Sequence, residues 1–569
     1  MNFVSYPLQL FKSWRTTRHS TDLLAGLTVA AIAIPQSMAY TQLAGVPVSV
    51  GLYTALVAMI VYALFTSSRR VIVGPDTAMS VMAGAAIAPF VAGNPDSAGF
   101  YVVVLAAIVG VLCLVGARLK LYYIAEFLSR PILLGYLVGV ALVIMSDQIP
   151  KLLGLTIGGE NVLHNLLGTF GQLSAIKWYT VLLSVVLFVI GVSLKRYAPK
   201  APVALILVML ATLASAVYGF ADHGIAVVGN IPAGLPNLKV PHFDLETLKA
   251  LVLPAGAIAL VAYADTIATV RSFAAKNRES VSSEQELISL GASNLAVALV
   301  GGMPVSASGS RTVVNNDMRA SSQYAQIYAA GVIALVLILL SSYLAYIPRA
   351  ALAVIVILSA YKLFDWDELD AIWRGWRSEA ALAIVTAGGV AVLGILQGLG
   401  LAVLLAVINL IRKTAFPHDA VLGVTENGMT FRDRSRPPKT YDTPGLLIYR
   451  FDAPLFFGNA NYFHERVMHF IERAPEKVHW LLLDCEAMSS LDSTGAKVLK
   501  NLIFELEDKD IVLATARLKG PIRDTLRKTG LGARLENRPR FASIGQAYDA
   551  YCERYKLPSR RKPSTKSAE

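Results

Sequence analysis

Two carboxylates and one arginine stand in stretches of this chain that are otherwise apolar. Asp265 lies deep within "LPAGAIALVAYADTIATVRSFA", residues 253–274. A charge at the centre of a membrane-spanning helix costs about 2.5–3.5 kcal/mol on insertion scales, so such residues are usually paired or functional. Thr269 follows at i+4, on the same helical face. A carboxylate and a hydroxyl together offer oxygen ligands to a sodium ion. The same carboxylate also reads as a protonatable relay, or as a structural acceptor for a nearby hydroxyl or backbone group. Asp76 follows Gly74-Pro75 in "RRVIVGPDTAMS", at a helix start where a carboxylate suits the free N–H groups. Next to a bound anion, Asp76 would need a proton or a cation as partner, which would make it a coupling-ion residue with Asp265 and Thr269. Arg311 opens a short helix beside Ser308 and Ser310 in "GGMPVSASGSRTVVNN", where a guanidinium could concentrate anions or pair with a carboxylate. Gln36, after Pro35 in "AIAIPQSMAY", is a donor for a substrate or for a neighbouring helix.

The segments around Asp76 and Arg311 share one grammar. Each has a short β-like or Gly/Pro/Ser-rich piece, then a helix too short to cross a bilayer, which takes roughly 20 residues. Pro75 is expected in the first helical turn, where its missing N–H would have no partner anyway. The two segments lie seven apolar blocks apart. Interrupted spans in matching positions of two halves point to a transporter site between inverted repeats. Their helix N-termini would meet near the membrane centre and present free N–H groups to an anion.

The rest of the chain must hold these pieces in lipid. Of 569 residues, 55% are hydrophobic and 16% charged, and the mean hydropathy is +0.55. Apolar blocks near 22–42, 50–66, 75–91, 100–117, 131–149, 177–195, 201–219, 251–272, 285–301, 308–316, 323–345, 348–363, 379–396 and 398–412 predict about fourteen spans. With the N-terminus inside, Arg69/Arg70, Arg118/Lys120/Arg130, Lys195/Arg196/Lys200, Lys276/Arg278, Arg319, Arg374/Arg377 and Arg412/Lys413 all fall on cytoplasmic loops. The intervening loops are uncharged or mixed, as the positive-inside rule requires. The net charge of +12 is thereby explained without nucleic acid. Cys113, Cys485 and Cys552 are isolated, with neither disulfide-framework nor zinc spacing. No P-loop, metal cluster or nucleophile–base pair marks an enzyme. Residues 1–21 read as an amphipathic cytoplasmic lead-in, 22–413 as the membrane domain, 414–440 as a linker with strand-like pieces, 441–556 as a soluble α/β domain and 557–569 as a disordered basic tail.

The order of motifs resembles the SulP (sulfate permease) anion transporters. "DLLAGLTVAAIAIPQSMAYTQLAGVPVSVGLYTALV" with "VGPD", then "LSRPILLGYLVGVALVIMSDQIPKLLG", "GGMPVSASGSRTVVNN" and "YIPRAALAVIVILSAYKLFDWDELDAIWR" each resemble successive family segments. "DAPLFFGNANYF" and "LLLDCEAMSSLDSTGAKVL" resemble the STAS domain that ends these proteins. The resemblance implies two seven-span inverted repeats forming core and gate domains, elevator-type alternating access, and an anion held between the third and tenth helices. Carried over by position, it implies substrate contacts from Gln36, Thr77, Ala78, Ser308, Ser310 and Arg311, and a coupling site at Asp265 and Thr269. Relatives similar to cyanobacterial bicarbonate transporters pair such an Asp and Thr for sodium, whereas others with Glu there are proton-coupled or exchange anions. Asp76 departs from members with a small or apolar residue after Gly-Pro. In soluble STAS proteins a serine at the "DSSG" turn is phosphorylated. Here "DSTG" puts Ser493 at that turn, where helix capping by Asp492, Ser493 or Thr494 is the structural alternative.

The expectation is therefore a polytopic α-helical protein with a C-terminal cytosolic STAS domain, both termini cytoplasmic, in the plasma or inner membrane. It is expected to carry sulfate, bicarbonate or a dicarboxylate, coupled to sodium or protons through Asp265, with no other cofactor. The resemblance also implies a homodimer and allows a cytosolic protein partner at the STAS domain. An uncoupled channel or exchanger, or an anion sensor signalling through that domain, are the rival readings.

Overall fold

The computed structural model describes residues 19–91, 94, 97–120, 130–155, 161–198, 201–238, 244–426, 430–529 and 538–558. Most of the N-terminal lead-in, the end of the basic tail and part of the "VAGNPDSAG" loop lie outside the described residues. The chain forms two compact units, residues 1–406 and 407–569.

Fourteen helices fall on the fourteen apolar blocks: α1 His19–Ala44, α2 Val48–Phe65, α3 Thr77–Val91, α4 Ala98–Arg118, α5 Arg130–Leu152, α6 Trp178–Tyr197, α7 Val203–Tyr218, α8 Leu245–Asn277, α9 Ser283–Leu299, α10 Gly309–Asp317, α11 Tyr324–Leu339, α12 Arg349–Ala360, α13 Arg377–Leu393 and α14 Ile395–Ala415. Seven helices of the described chain are long and apolar enough to cross a membrane. Short helices at Val162–Gly171, Ser341–Leu344 and Trp366–Gly375 occupy stretches expected as loops or as span ends. The outward faces are apolar: Leu182, Val185, Val186 and Val189 of α6 are each about half exposed or more. Such stripes suit lipid and would be untenable in water.

Small residues let the helices approach closely. Gly110 of α4 lies against the backbone of Gly291 in α9, and Gly135 of α5 against the backbone of Ala383 in α13. Without a hydrophobic drive between helices in lipid, such close packing supplies the cohesion. Two buried carboxylates act as fasteners. Glu286 of α9 accepts from Tyr62 Oη (2.5 Å), Thr66 Oγ1 (2.9 Å), and Ser67 N and Oγ (2.9 and 2.6 Å), tying α9 to the end of α2. Asp22 of α1 accepts from Ser321 N (2.6 Å) and Ser322 Oγ (2.5 Å), just before α11.

The second unit is a mixed sheet with helices. Its strands are β3 Asp419–Thr425, β4 Phe431–Asp433, β5 Thr440–Tyr441, β6 Leu446–Phe451, β7 Trp480–Asp484, β8 Val512–Ala516 and β9 Arg540–Phe541. The order is β4-β3-β6-β7-β8-β9, with β5 also on β3, and β6 to β9 run parallel. Its helices are α15 Ala460–Glu472, α16 Ser493–Asp508, α17 Gly520–Lys528 and α18 Ile544–Arg554. The buried runs "LLIYRF" and "WLLLD" form central strands because both faces are covered.

Candidate functional site

Two short strands precede the two short helices: β1 Val73–Gly74 before α3, and β2 Ser306–Ala307 before α10. They pair antiparallel, Val73 opposite Ala307 and Gly74 opposite Ser306. Opposed strands leading into half-length helices are the geometry that inverted repeats require. Non-helical backbone at membrane depth survives only where protein satisfies its polar groups. Here side chains do so. Ile72 N donates to Thr312 Oγ1 (3.1 Å) and Val73 N to Gln326 Oε1 (2.8 Å). Asn315 Nδ2 donates to Arg70 O (2.7 Å), and Gln323 Nε2 to Ser68 O (2.9 Å). In the second segment, Met303 N donates to Thr54 Oγ1 (3.0 Å), Val305 N to Asn294 Oδ1 (3.0 Å) and Ala307 N to Thr266 Oγ1 (3.1 Å). These polar residues tie both lead-in segments to the surrounding helices.

The third helix begins at Thr77, two residues later than Pro75. Pro75 belongs to the extended lead-in, and its carbonyl accepts from Arg311 Nη2. Asp76 sits at the helix start and accepts from Ala78 N (3.3 Å), as a capping carboxylate does.

Arg311 is fully buried. Its guanidinium crosses the strand pair so closely that a Cβ built on Gly74 would lie 2.8 Å from Nη1 and 3.4 Å from Cζ. A side chain at residue 74 would therefore displace the guanidinium. Arg311 Nε and Nη1 have no hydrogen-bond partner, and no ion pair of Arg311 exists among the described residues. Each buried donor left unsatisfied costs about 1–3 kcal/mol, so the site asks for an acceptor. Asp76 and Tyr40 lie within electrostatic reach of Arg311.

The remaining site residues come from α1, α3, α8, α10, α12 and β2. The α1 helix touches α3, α10 and α12, and α8 touches α3 and β2. Gln36 is 5% exposed with Oε1 unpartnered, and Tyr40 follows one turn later, close to Thr77 and Ser359. Thr77, Ala78 and Ser308 are buried, and Ser308 Oγ lies 3.4 Å from Ser310 Oγ. Asp265 accepts from Ser306 Oγ (3.4 Å) and feels the charge of Asp76. Thr269, half-buried one turn along, makes no hydrogen bond to Asp265. The oxygens of Asp265, Ser306 and Thr269 are the hard donors a sodium ion takes, and the described residues contain no cluster of three His, Cys, Asp or Glu for a metal.

Sequence reasoning missed Tyr40, Ser306, Thr266 and Ser359. Tyr40 was legible as the i+4 partner of Gln36, and Ser306 as part of the second interrupted segment. Ser359 comes from α12 and had no local signal. Ser493 belongs to the second unit and is exposed at the start of α16, where the cap is Asp492, which accepts from Gly495 N at 2.7 Å.

Residues 20–386 match the sulfate permease family and residues 437–547 the STAS domain. A protein described as a probable sulfate transporter of Mycobacterium tuberculosis (strain CDC 1551 / Oshkosh) is 37% identical over 533 residues, covering 94% of this chain and 95% of that one. The structure of murine solute carrier 26 family member A9, an anion transporter in the inward-facing state, has the same fold, with TM-score 0.85 and 21% identity over 96% of this chain and 94% of that one. The transmembrane domain of a cyanobacterial bicarbonate transporter aligns with TM-score 0.60 and 24% identity, over 68% of this chain and 96% of that one.

Proposed function

Because the chain belongs to the sulfate permease family, we propose that it is a secondary transporter of a small oxyanion, sulfate foremost, coupled to a cation through Asp265. The observation that carries this reading is the buried Arg311 guanidinium, with two donor nitrogens unpartnered, lying across the paired strands that lead into α3 and α10. Helix N-termini, hydroxyls and one guanidinium bind a compact oxyanion, and none of them distinguishes sulfate from bicarbonate. The similarity to a protein described as a sulfate transporter supports sulfate. A sodium ion or a proton on Asp265 would offset the negative charge that Asp76, Asp265 and the substrate bring together. The site's side chains come chiefly from α1, α3, α8 and α10, which supports alternating access in which this group moves as one elevator-like body against the rest. The loop charges support an orientation with both termini cytoplasmic, in a plasma or inner membrane.

The test is uptake into proteoliposomes of labelled sulfate, bicarbonate or succinate, driven separately by a sodium and a proton gradient. Concentrative uptake of one anion under one gradient, lost in Asp265→Asn, supports the reading and names the coupling ion. Flux that follows only each anion's own gradient, unchanged by Asp265→Asn, supports the uncoupled conductor instead.

A further inference from the structure

A second cavity, of about 1020 Å³, opens among the ends of α1, α2, α4, α5, α6 and α12. Counting spans puts all of these ends on the face opposite the arginine- and lysine-rich loops, where the connections are uncharged or mixed. Yet three cations line the cavity: Lys151, Lys177 and Arg349. Lys151 is neutralised by Asp147 at 2.8 Å. Lys177 and Arg349 are exposed and pair with no carboxylate among the described residues. One segment runs beside both residues. Lys177 Nζ donates to Gly224 O (3.3 Å), and Arg349 N donates to Ala226 O (2.9 Å), two residues further on. The Val227–Pro348 bridge fixes that segment beside the start of α12.

We propose that this cavity is a second anion site, a collecting vestibule in which Lys177 and Arg349 hold a small oxyanion on the non-cytoplasmic face. The purpose given to it rests on the transport reading; the binding of the anion does not. A concave wall carrying one sign of charge raises the local concentration of counter-ions and their entry rate by about 10–10³-fold, an effect that falls with ionic strength. Two offset-free cations at the mouth of an anion carrier are placed to do this. None of the side chains placed at the Arg311 site lines this cavity.

The test places a reporter thiol in the wall, as Asn230→Cys, in the full chain in lipid nanodiscs. The native cysteines are buried. Labelling rates are compared for an anionic methanethiosulfonate reagent and its trimethylammonium analogue. Adding Lys177→Gln and Arg349→Gln is expected to lower the anionic-to-cationic rate ratio by about tenfold. Sodium sulfate should slow labelling more than sodium chloride of equal ionic strength, and only when both cations are present. A ratio unchanged by the two substitutions, or identical effects of the two salts, overturns the proposal. In proteoliposomes the Lys177→Gln/Arg349→Gln variant should show a raised half-saturation for uptake from this face, with the maximal rate kept. If no anion is transported while the labelling ratio still falls, the transport reading fails and the anion site stands.

Discussion

Replacing Gly74 with alanine sets a methyl group against the guanidinium of Arg311. The added carbon would lie 2.8 Å from Nη1, 3.4 Å from Cζ and 3.5 Å from Nη2. Ordinary contact begins at 3.4 Å, so the nitrogen must retreat by at least about 0.6 Å. A flexible arginine on a surface would absorb this at little cost. Arg311 is fully buried and tethered to the Pro75 carbonyl, so its retreat changes where its donors point. A hydrogen bond to a charged group contributes about 1.5–3 kcal/mol. Losing roughly half to two-thirds of one such bond weakens anion binding by about 1–2 kcal/mol, or roughly 5–30-fold. The assay is half-saturation of labelled sulfate uptake, with thermal unfolding measured in parallel. The control is Gly331→Ala in α11, where the added carbon meets no atom within 4 Å. The account expects Gly74→Ala to raise half-saturation with little change in unfolding temperature, and Gly331→Ala to leave half-saturation alone. Normal half-saturation in Gly74→Ala would refute the claim that the Arg311 guanidinium holds the anion where it lies.

Other perturbations separate fasteners from site residues. Glu286→Ala orphans the Tyr62 and Thr66 hydroxyls and the Ser67 donors, and should destabilise the membrane unit by about 3 kcal/mol, read by thermal unfolding in detergent. In the second unit, Asp492→Ala should cost about 1 kcal/mol through loss of the α16 cap, whereas Ser493→Ala should leave denaturant unfolding nearly unchanged. Burial pushes the Cys485 thiol up to about 12. It should therefore resist maleimide in the native protein at neutral pH and react only after unfolding, as peptide mapping would detect.

Much of the fold was legible because lipid imposes length and composition on every span. Fourteen blocks were countable from hydropathy, and charge parity supported the number. The "LLIYRF" and "WLLLD" strands stood out as continuous apolar runs. The site was legible where a rule of membrane chemistry was broken: Gly-Pro before a helix at Asp76, a carboxylate within α8 at Asp265, an arginine beside serines at 311. Less legible was what tertiary contact alone creates. Nothing local in "VILSAY" announces that Ser359 reaches Tyr40, or that Gly74 is small because Arg311, 237 positions away, lies over it. Helix starts also shifted, since Pro75 serves as an acceptor for Arg311 and the helix begins only at Thr77.

The central claim is that an oxyanion sits between the α3 and α10 N-termini against Arg311. Selenate replaces sulfate with little change of shape and scatters anomalously, so a crystal of the full chain grown with selenate tests the claim directly. The account predicts an anomalous peak within hydrogen-bonding distance of Arg311 Nε or Nη1, absent in Arg311→Gln. A selenate peak elsewhere in the membrane unit with none beside Arg311, or a peak beside residue 311 that survives Arg311→Gln unchanged, would contradict it.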